Sequence, residues 1–371
     1  MVARIFLSLA LLQVGLMYLP SPFWWLWLLH YAALEASLLA TLLGLVALLT
    51  SSELPVRVLA MLAMAGGALP LILVMPLYFQ QKVPFSLLQW LTVRVPAEVQ
   101  IERDLPLVPG LKADLYRAPG PQPHPFVLVV HGGSWRQGDK GELPHVSKAL
   151  AQSGFTVLDV QYRLSGTAPF PAAIADVKAW LVAARQHAQE LGIDPERGAI
   201  LGRSAGGNIA LLAAYADQTL PSALPGMPAT VRAVISLYGP TDLQRAHVDP
   251  IRPDVVKGPE AIEQFLGGTP EQQPEHYRQA NPLTWVPNRT LPPTLLIHGQ
   301  AERCVRARDS EDLATLLRQG QYVELLLIPL ADHGFDVRPG GLGEQLTRGV
   351  VVRFLRSKLE GRDRSGQGSG Q

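Results

Sequence analysis

Five residues, 202–206, read Gly-Arg-Ser-Ala-Gly and constrain this chain more than any other stretch. A short apolar run at 198–201 precedes them, and a helix-forming run at 208–214 follows. A G-x-S-x-G pattern between a strand and a helix is typical of the nucleophile elbow, a turn so tight that the residues flanking the serine need almost no side chain. The hydroxyl of Ser204 then stands exposed at the start of the helix. The alternative is a glycine-rich turn with an ordinary serine.

A second motif favours the first interpretation. Residues 131–135 read His-Gly-Gly-Ser-Trp and follow an apolar run, 126–130, that we predict to be a buried strand. Acyl transfer needs backbone N–H donors aimed at the oxyanion, and an H-G-G-x loop supplies them together with the residue after the nucleophile. The predicted oxyanion hole comprises Gly132, Gly133, Ser134 and Ala205. His131 precedes the serine in the chain, so we expect it to order the loop.

The remaining catalytic residues should follow Ser204 in the order acid, then base. His333 lies in a loop between a strand-like run at 323–329 and a final amphipathic helix, which is where the base belongs. Glu302 follows the strand-like run at 294–297 and is the predicted acid. It would hold the imidazole in the correct tautomer and stabilise the imidazolium. Ser204, Glu302 and His333 together predict a serine hydrolase.

Three other carboxylates compete with Glu302. Asp309 and Asp312 fall on the next helix, where we expect a solvated face. Asp332 is adjacent to His333 and would have to fold back on its neighbour, so we interpret it as a residue that shapes the loop.

Together these motifs resemble those of α/β-hydrolase carboxylesterases of the hormone-sensitive-lipase type and their feruloyl-esterase-like relatives. The matching pieces, in chain order, are residues 131–135, 138–140, 161–164, 169–171, Asp176, 194–197, 202–208, 238–240, 281–283 and 298–299. The resemblance covers about residues 98–359. That family usually has aspartate where Glu302 stands. The lipase type prefers a third glycine where Ser134 stands, which favours the feruloyl-esterase-like branch.

The pattern after residue 97 alternates strands and helices, which indicates a mostly parallel sheet covered on both faces. The strand candidates are 98–105, 111–117, 126–131, 155–162, 198–202, 231–237, 294–299 and 322–329. The resemblance implies an α/β-hydrolase fold with eight strands and the nucleophile after the fifth. Between 239 and 293 the pattern breaks into proline-rich stretches with short helices. This insertion either caps the substrate pocket or serves as packing scaffold.

The N-terminal part has a different composition. The chain is 48% hydrophobic, and the excess lies in three apolar runs at about 4–20, 23–50 and 56–79. A membrane-spanning helix needs about 20 apolar residues. We predict three transmembrane helices in a membrane region at 1–82. A signal peptide is the alternative for the first run, and a buried soluble helical domain is the alternative for all three.

The orientation of these helices follows from their flanking residues. Three spans put Arg4 and Arg57 on one side of the membrane. The same arrangement puts five aromatic residues on the other side of the membrane: Tyr18, Trp24, Trp25, Tyr78 and Phe79. The positive-inside rule then predicts that the hydrolase domain lies outside the cytoplasmic membrane, whereas two spans would leave it inside. Glu35 is a carboxylate within the second run. Such residues are candidates for function, but we favour a neutralised or hydrogen-bonded Glu35 packed between helices or near the interface.

Composition sets the remaining bounds. A net charge of +1 offers no basic surface for nucleic acid, and the single Cys304 excludes an intrachain disulfide. Without a Cys/His cluster, the sequence predicts no metal site, and no motif indicates a cofactor. The predicted domains are the membrane region, a linker at 83–97, the catalytic domain at 98–360 and a disordered tail at 361–371.

The leading functional hypothesis is a membrane-anchored serine esterase that acts on a small-molecule or lipid ester and has the lipid bilayer as its partner. An acyltransferase or a peptidase could use the same residues, because the shape of the pocket determines which molecule accepts the acyl group. The third hypothesis is a protein that is not an enzyme: a catalytically silent membrane-bound scaffold or binding protein with a hydrolase fold.

Overall fold

The computed structural model describes residues 1–18, 35, 37–92, 99–216, 219–226, 230–287 and 289–360. The second apolar run and the predicted linker are therefore described only in part. The whole tail at 361–371 lies outside the described residues, as do Trp24 and Trp25.

An eight-stranded sheet organises the part of the chain after residue 99. Its strands are β1 (Ile101–Val108), β2 (Leu111–Tyr116), β3 (His124–Val130), β4 (Thr156–Val160), β5 (Ile193–Arg203), β6 (Ala233–Leu237), β7 (Thr294–Gly299) and β8 (Val323–Ile328). Their order in the sheet is β1-β2-β4-β3-β5-β6-β7-β8. Only β2 pairs antiparallel with its neighbours, and every other pairing is parallel. The predicted mostly parallel α/β sheet is confirmed, and Ser204 follows the fifth strand.

Helices connect and cover these strands. They are α1 (Val2–Tyr18), α2 (Ser37–Thr50), α3 (Leu54–Gln80), α4 (Leu87–Thr92), α5 (Pro144–Gln152), α6 (Ala172–Gln186), α7 (Ala188–Leu191), α8 (Ala205–Tyr215), α9 (Leu243–Val248), α10 (Gly258–Leu266), α11 (Pro274–Gln279), a 3-10 helix (Pro282–Trp285), α12 (Ala307–Leu317) and α13 (Leu342–Leu359). Every residue of the central strand β3 is buried, as expected for a parallel strand packed on both faces. Residues of α6 and α8 belong to one hydrophobic core, and residues of α5 and α13 belong to the other.

The N-terminal helices that the structure describes, α1, α2 and α3, alternate in direction. The Arg4 guanidinium pairs with Glu53 at 2.8 Å, so α1 and α3 begin at the same end. The Tyr18 hydroxyl donates to the Gly66 carbonyl at 2.8 Å, so these two helices also continue in the same direction. Helix α2 returns between them and ends just before α3 begins. Among the described helices only α3 is long and apolar enough to cross a bilayer, because α1 and α2 are apolar but shorter.

The N-terminal helices pack directly on the domain that contains the sheet. Val74 and Tyr78 of α3 belong to the same hydrophobic core as α13, and the Tyr78 hydroxyl donates to the Leu342 carbonyl. Helix α4 lies within the segment interpreted as a linker, and its Trp90 is only 3% exposed. Part of that segment is therefore a surface helix that packs on the fold through Trp90, while Leu87, Leu88 and Leu91 are exposed.

Candidate active site

Ser204 occupies a strained turn between β5 and α8. Its φ is +53°, a conformation that residues other than glycine rarely adopt. The turn is held by hydrogen bonds from the Ser204 N–H to the Leu237 carbonyl at 2.9 Å and from the Gly207 N–H to the Ser204 carbonyl at 2.8 Å. A side chain at Gly202 would lie 2.0 Å from the Gly206 carbonyl oxygen. The flanking glycines are thus required by the close approach of the two backbone segments.

The three residues predicted as nucleophile, acid and base form one hydrogen-bonded chain. The His333 Nε2 atom lies 2.9 Å from the Ser204 Oγ atom. The other ring nitrogen of His333, Nδ1, lies 3.0 Å from the Glu302 Oε2 atom. Because the glutamate can only accept when ionised, Nδ1 carries the proton and Nε2 is left to accept from the serine. This is the tautomer that a general base for Ser204 needs.

The charges of the pair support that assignment. Burial of the Glu302 carboxyl raises its pKa, but His333, His298 and the Cys304 N–H together lower it more, and the net pKa lies below its ordinary value. Burial lowers the pKa of His333, but the carboxylates of Glu302 and Asp332 together outweigh this effect and the net pKa is raised. The glutamate is therefore ionised near neutral pH, and the imidazolium that forms when His333 takes a proton is stabilised.

Backbone groups and a second histidine hold Glu302 in place. Its Oε1 atom accepts hydrogen bonds from the N–H groups of Cys304 at 2.8 Å and Val305 at 3.2 Å. His298, at the end of β7, is fully buried and donates from Nε2 to the Val305 carbonyl at 3.0 Å. Its Nδ1 accepts from the Ser310 hydroxyl at 2.7 Å. His298 thus ties the turn that carries Glu302 to the end of β7 and to α12.

The loop predicted to form the oxyanion hole lies against Ser204. A side chain at Gly132 would lie 3.3 Å from the Ser204 Cβ atom. Gly133 has a φ of +103°. No acceptor among the described residues takes the N–H group of Gly133 or Ser134, and the N–H of Ala205 opens α8, where a helix has no internal acceptor. These donors remain available to a substrate oxygen.

His131 orders this loop, as expected from its position before the serine. Its Nδ1 atom lies 2.8 Å from the Gly132 carbonyl oxygen, and its ring stacks on Tyr162 with centroids 4.2 Å apart. The Tyr162 hydroxyl in turn donates to the carbonyls of His131 and Gly132, each at 3.2 Å.

A buried ion pair, which the sequence motifs did not reveal, joins the serine turn to the histidine loop. Arg203 immediately precedes Ser204, and its guanidinium contacts the Asp336 carboxylate through two nitrogens at 2.8 and 2.9 Å. The Tyr238 hydroxyl donates to the same carboxylate at 2.6 Å, and its ring lies 4.5 Å from the His333 ring. Burial raises the pKa of Asp336, but Arg203 and the Tyr238 hydroxyl together outweigh this effect and the net pKa is lowered. The carboxylate is therefore ionised and ties the loop of His333 to Arg203, at the start of the Ser204 turn.

The carboxylates that compete with Glu302 have other partners. Asp332 accepts from the N–H groups of Arg303 at 2.9 Å and His333 at 2.7 Å, so it shapes the loop as expected. Asp309 does not lie on a solvated face, because it is 3% exposed and binds Arg245 at 2.6 Å and the Thr241 N–H at 3.0 Å. Asp312 is more exposed and binds the same arginine at 2.6 Å.

A cavity of about 80 Å³ opens beside Ser204 and His333. Residues of the segment between β6 and β7 line much of it, among them Ile251, Val256 and Ile262. The insertion therefore covers the pocket. It also serves as packing scaffold, because Phe265 on α10 is buried in the core and stacks on Trp135 with centroids 4.6 Å apart.

Glu302, Cys304 and His333 form a group whose possible metal-ligating atoms lie within 4.8 Å of one another. Both ring nitrogens of His333 are already engaged by Glu302 and Ser204. Burial raises the pKa of the Cys304 thiol well above its ordinary value, which disfavours the thiolate that a metal binds. The arrangement fits proton transfer better than metal binding.

Known proteins resemble this chain in sequence. The model of the BD-FAE family matches residues 113–317, more than half of the chain. Esterase LipC of Mycobacterium tuberculosis is 30% identical over 59% of this chain and 55% of its own length. The probable carboxylic ester hydrolase LipM of the same organism is 30% identical over 62% of this chain and 54% of its own length. The chain thus spans about half the length of these relatives.

Solved structures share the fold at lower identity. A truncated form of a carbohydrate esterase from gut microbiota superimposes with a TM-score of 0.62 at 22% identity, covering 72% of this chain and 100% of that one. Esterase B from Lactobacillus rhamnosis gives a TM-score of 0.62 at 20% identity, covering 80% of this chain and 96% of that one.

Proposed function

Because the chain belongs to the BD-FAE family, we propose that it is a serine carboxylesterase held at a membrane by its N-terminal helices. The observation that carries the proposal is the hydrogen-bonded chain from Glu302 through His333 to Ser204, with the serine on a positive-φ turn. The names of the relatives, esterase and carboxylic ester hydrolase, support the reaction class.

In the proposed reaction the Ser204 oxygen attacks the carbonyl carbon of an ester, and its proton passes to the His333 Nε2 atom. The tetrahedral intermediate collapses when the imidazolium returns this proton to the leaving alkoxide, and the alcohol departs. Water then attacks the acyl-enzyme, again giving its proton to His333. The second collapse releases the carboxylic acid and restores the serine hydroxyl.

Two groups of residues stabilise the charges that form. The N–H groups of Gly133, Ser134 and Ala205 face the developing oxyanion and cost no reorganisation, because the turns already hold them. The Glu302 carboxylate stabilises the imidazolium of His333 at 3.0 Å. Substrate enters through the cavity covered by α9 and α10, whose apolar lining suits the acyl or alkyl part of an ester.

The packing of the N-terminal helices supports the membrane part of the proposal. Small side chains, among them Ala40, Ala47, Ala60 and Ala63, are buried between the helices. Large apolar side chains, among them Leu39, Leu42, Leu62 and Ile72, are exposed on the outside. This is the reverse of a water-soluble bundle and is typical of helices that associate in lipid. At about 1.5 Å per residue, the 27 residues of α3 exceed the roughly 30 Å of a bilayer core.

A fluorophosphonate probe tests the proposal directly. We expect it to label the full-length protein at Ser204, and we expect p-nitrophenyl esters to be hydrolysed. A parallel panel of peptide amides and of alcohol acceptors separates an esterase from a peptidase and an acyltransferase. A folded protein that neither reacts with the probe nor turns over any ester would be a scaffold, and the proposal would be wrong.

The pH dependence of turnover follows from the raised pKa of His333. The base must be neutral to accept the serine proton, so kcat/KM falls as the pH drops through this pKa. Because the pKa is raised, the acid limb should lie above the ordinary histidine value of about 6.5. Glu302→Asp keeps the charge and should keep a limb in this region. A wild-type limb below that value, measured with a non-ionising ester, would contradict the assignment.

The relative directions of α1 and α3 support a prediction of sidedness. The start of α3 lies beside the start of α1, and its other end leads to the hydrolase domain. With the basic residues Arg4 and Arg57 inside, we expect this domain outside the cytoplasmic membrane. Protease added to intact spheroplasts should digest a tag fused after Leu359. Full protection until the membrane is broken would contradict an odd number of spans.

A further inference from the structure

Glu35 is the only acidic residue before Glu53, and the structure gives it an unexpected position. Its side chain is 5% exposed and pairs with Arg338, whose Nη1 atom lies at 2.9 Å. It also accepts hydrogen bonds from Trp90 Nε1 at 2.8 Å and from the N–H groups of Leu342 at 2.8 Å and Gly343 at 3.3 Å. A residue of the apolar N-terminal region is thus enclosed by donors from the hydrolase domain and from α4.

The two backbone donors are the first N–H groups of α13. A helix has no internal acceptors for these groups, and a carboxylate beside them is favoured by the helix dipole. Residue 341, which precedes the helix, is a glycine and offers no capping side chain. Glu35 therefore supplies, from a distant part of the chain, the cap that α13 lacks.

The same contacts hold the end of the loop that carries His333. Arg338 lies in this loop, and its Nη2 atom also donates to the Trp90 carbonyl at 2.5 Å. The Gln345 side-chain amide donates to the Gly340 carbonyl at 2.7 Å and to the Ser86 carbonyl at 3.1 Å. The loop between β8 and α13 is thus held at Asp336 by Arg203 and at its far end by Glu35 and α4.

We propose that Glu35 is a positioning residue for His333, through which the N-terminal helices take part in catalysis. The inference rests on the proposed function of the site. Without the Glu35 carboxylate, the half-buried Arg338 keeps only the Trp90 carbonyl as an acceptor, and the first turn of α13 loses the carboxylate that caps it. The end of the loop next to α13 is then held less tightly, while the contacts of Asp332 and Asp336 remain. The His333 Nε2 atom then no longer stays at its 2.9 Å distance from Ser204. A displacement of about 1 Å can lower a rate about a hundredfold.

The test uses the full-length protein in detergent micelles. We expect Glu35→Gln to lower kcat for p-nitrophenyl butyrate about tenfold or more while KM changes less than about twofold. The rate of fluorophosphonate labelling of Ser204 should fall in parallel with kcat. The matched control is Glu53→Gln, which removes an exposed acid of the same region that pairs only with Arg4 among the described side chains. This control should keep wild-type kcat and labelling rate.

A double variant, Glu35→Gln with Arg338→Met, separates positioning from mere stability. Removing both charges avoids a half-buried arginine without its carboxylate partner, so this variant is expected to fold even where the single variant does not. Positioning predicts that its kcat and labelling rate stay low at a wild-type melting temperature. A wild-type kcat in either Glu35 variant would overturn this inference but leave the proposed function intact. An inactive wild type, or an active Ser204→Ala, would overturn the proposed function and the inference with it.

Discussion

Replacing Ser204 by alanine should lower ester turnover by at least about 10³-fold, because only the oxyanion donors and substrate binding remain to accelerate the reaction. The fold should survive, since the side chain loses only a hydroxyl that contacts His333. Steady-state kinetics with p-nitrophenyl butyrate, together with the melting temperature, would measure both effects. Labelling by a fluorophosphonate should disappear completely.

The matched control is Ser153→Ala. The Ser153 hydroxyl donates to the Ala149 carbonyl at 2.8 Å at the end of α5 and has no role at the site. This variant should hydrolyse the ester at the wild-type rate. Near-normal turnover by purified Ser204→Ala would show that another group is the nucleophile.

Glu302→Gln should be the second most damaging change, with a loss of kcat of up to about 10⁴-fold. The carboxylate accepts on both sides, from His333 at one oxygen and from the N–H groups of Cys304 and Val305 at the other. An amide cannot accept on both sides. If its oxygen faces the backbone, its NH₂ group faces Nδ1 and forces the imidazole proton onto Nε2. That tautomer cannot take the serine proton.

Two comparisons identify the acid. Glu302→Asp loses reach but keeps the charge, so it should be milder than Glu302→Gln. Asp309→Asn changes another buried carboxylate, one that binds Arg245 and the Thr241 N–H and not the imidazole. Its main effect should be a lower melting temperature, and kcat should be much less affected. A crippled Asp309→Asn beside a nearly normal Glu302→Gln would mean that α12 supplies the acid.

Strand positions were predictable from sequence because buried parallel strands are continuous apolar runs bounded by turns. The predicted ends of a strand differ from the observed ends where backbone pairing continues beyond the apolar residues. Strand β5 begins at Ile193, five residues before the predicted 198, because its polar start pairs with β3 at His124. Hydrophobicity alone cannot show such a start, since backbone pairing rather than side-chain burial creates it.

The hydrogen-bonded site was predictable because its serine and oxyanion loop lie in local motifs, and chain order then selects the acid and the histidine. The contacts of Glu35 and Asp336 could not be predicted from the sequence, because their partners are far away in the chain. One signal was present for Asp336. Arg203 ends a buried strand, and a buried arginine requires an anion. The sequence shows that a partner must exist but not which of the later carboxylates it is.

The buried pair of Arg203 and Asp336 has a consequence for motif exchange. Arg203 fills a variable position of the G-x-S-x-G pattern, which suggests that the pentapeptide can be transplanted freely between enzymes of this fold. In this chain it cannot, because removing one partner of a buried ion pair typically costs about 3–5 kcal/mol. A grafted pentapeptide without arginine would leave the buried Asp336 carboxylate without its ion-pair partner, next to the new nucleophile. The smallest portable unit of this active site is therefore the pentapeptide together with position 336.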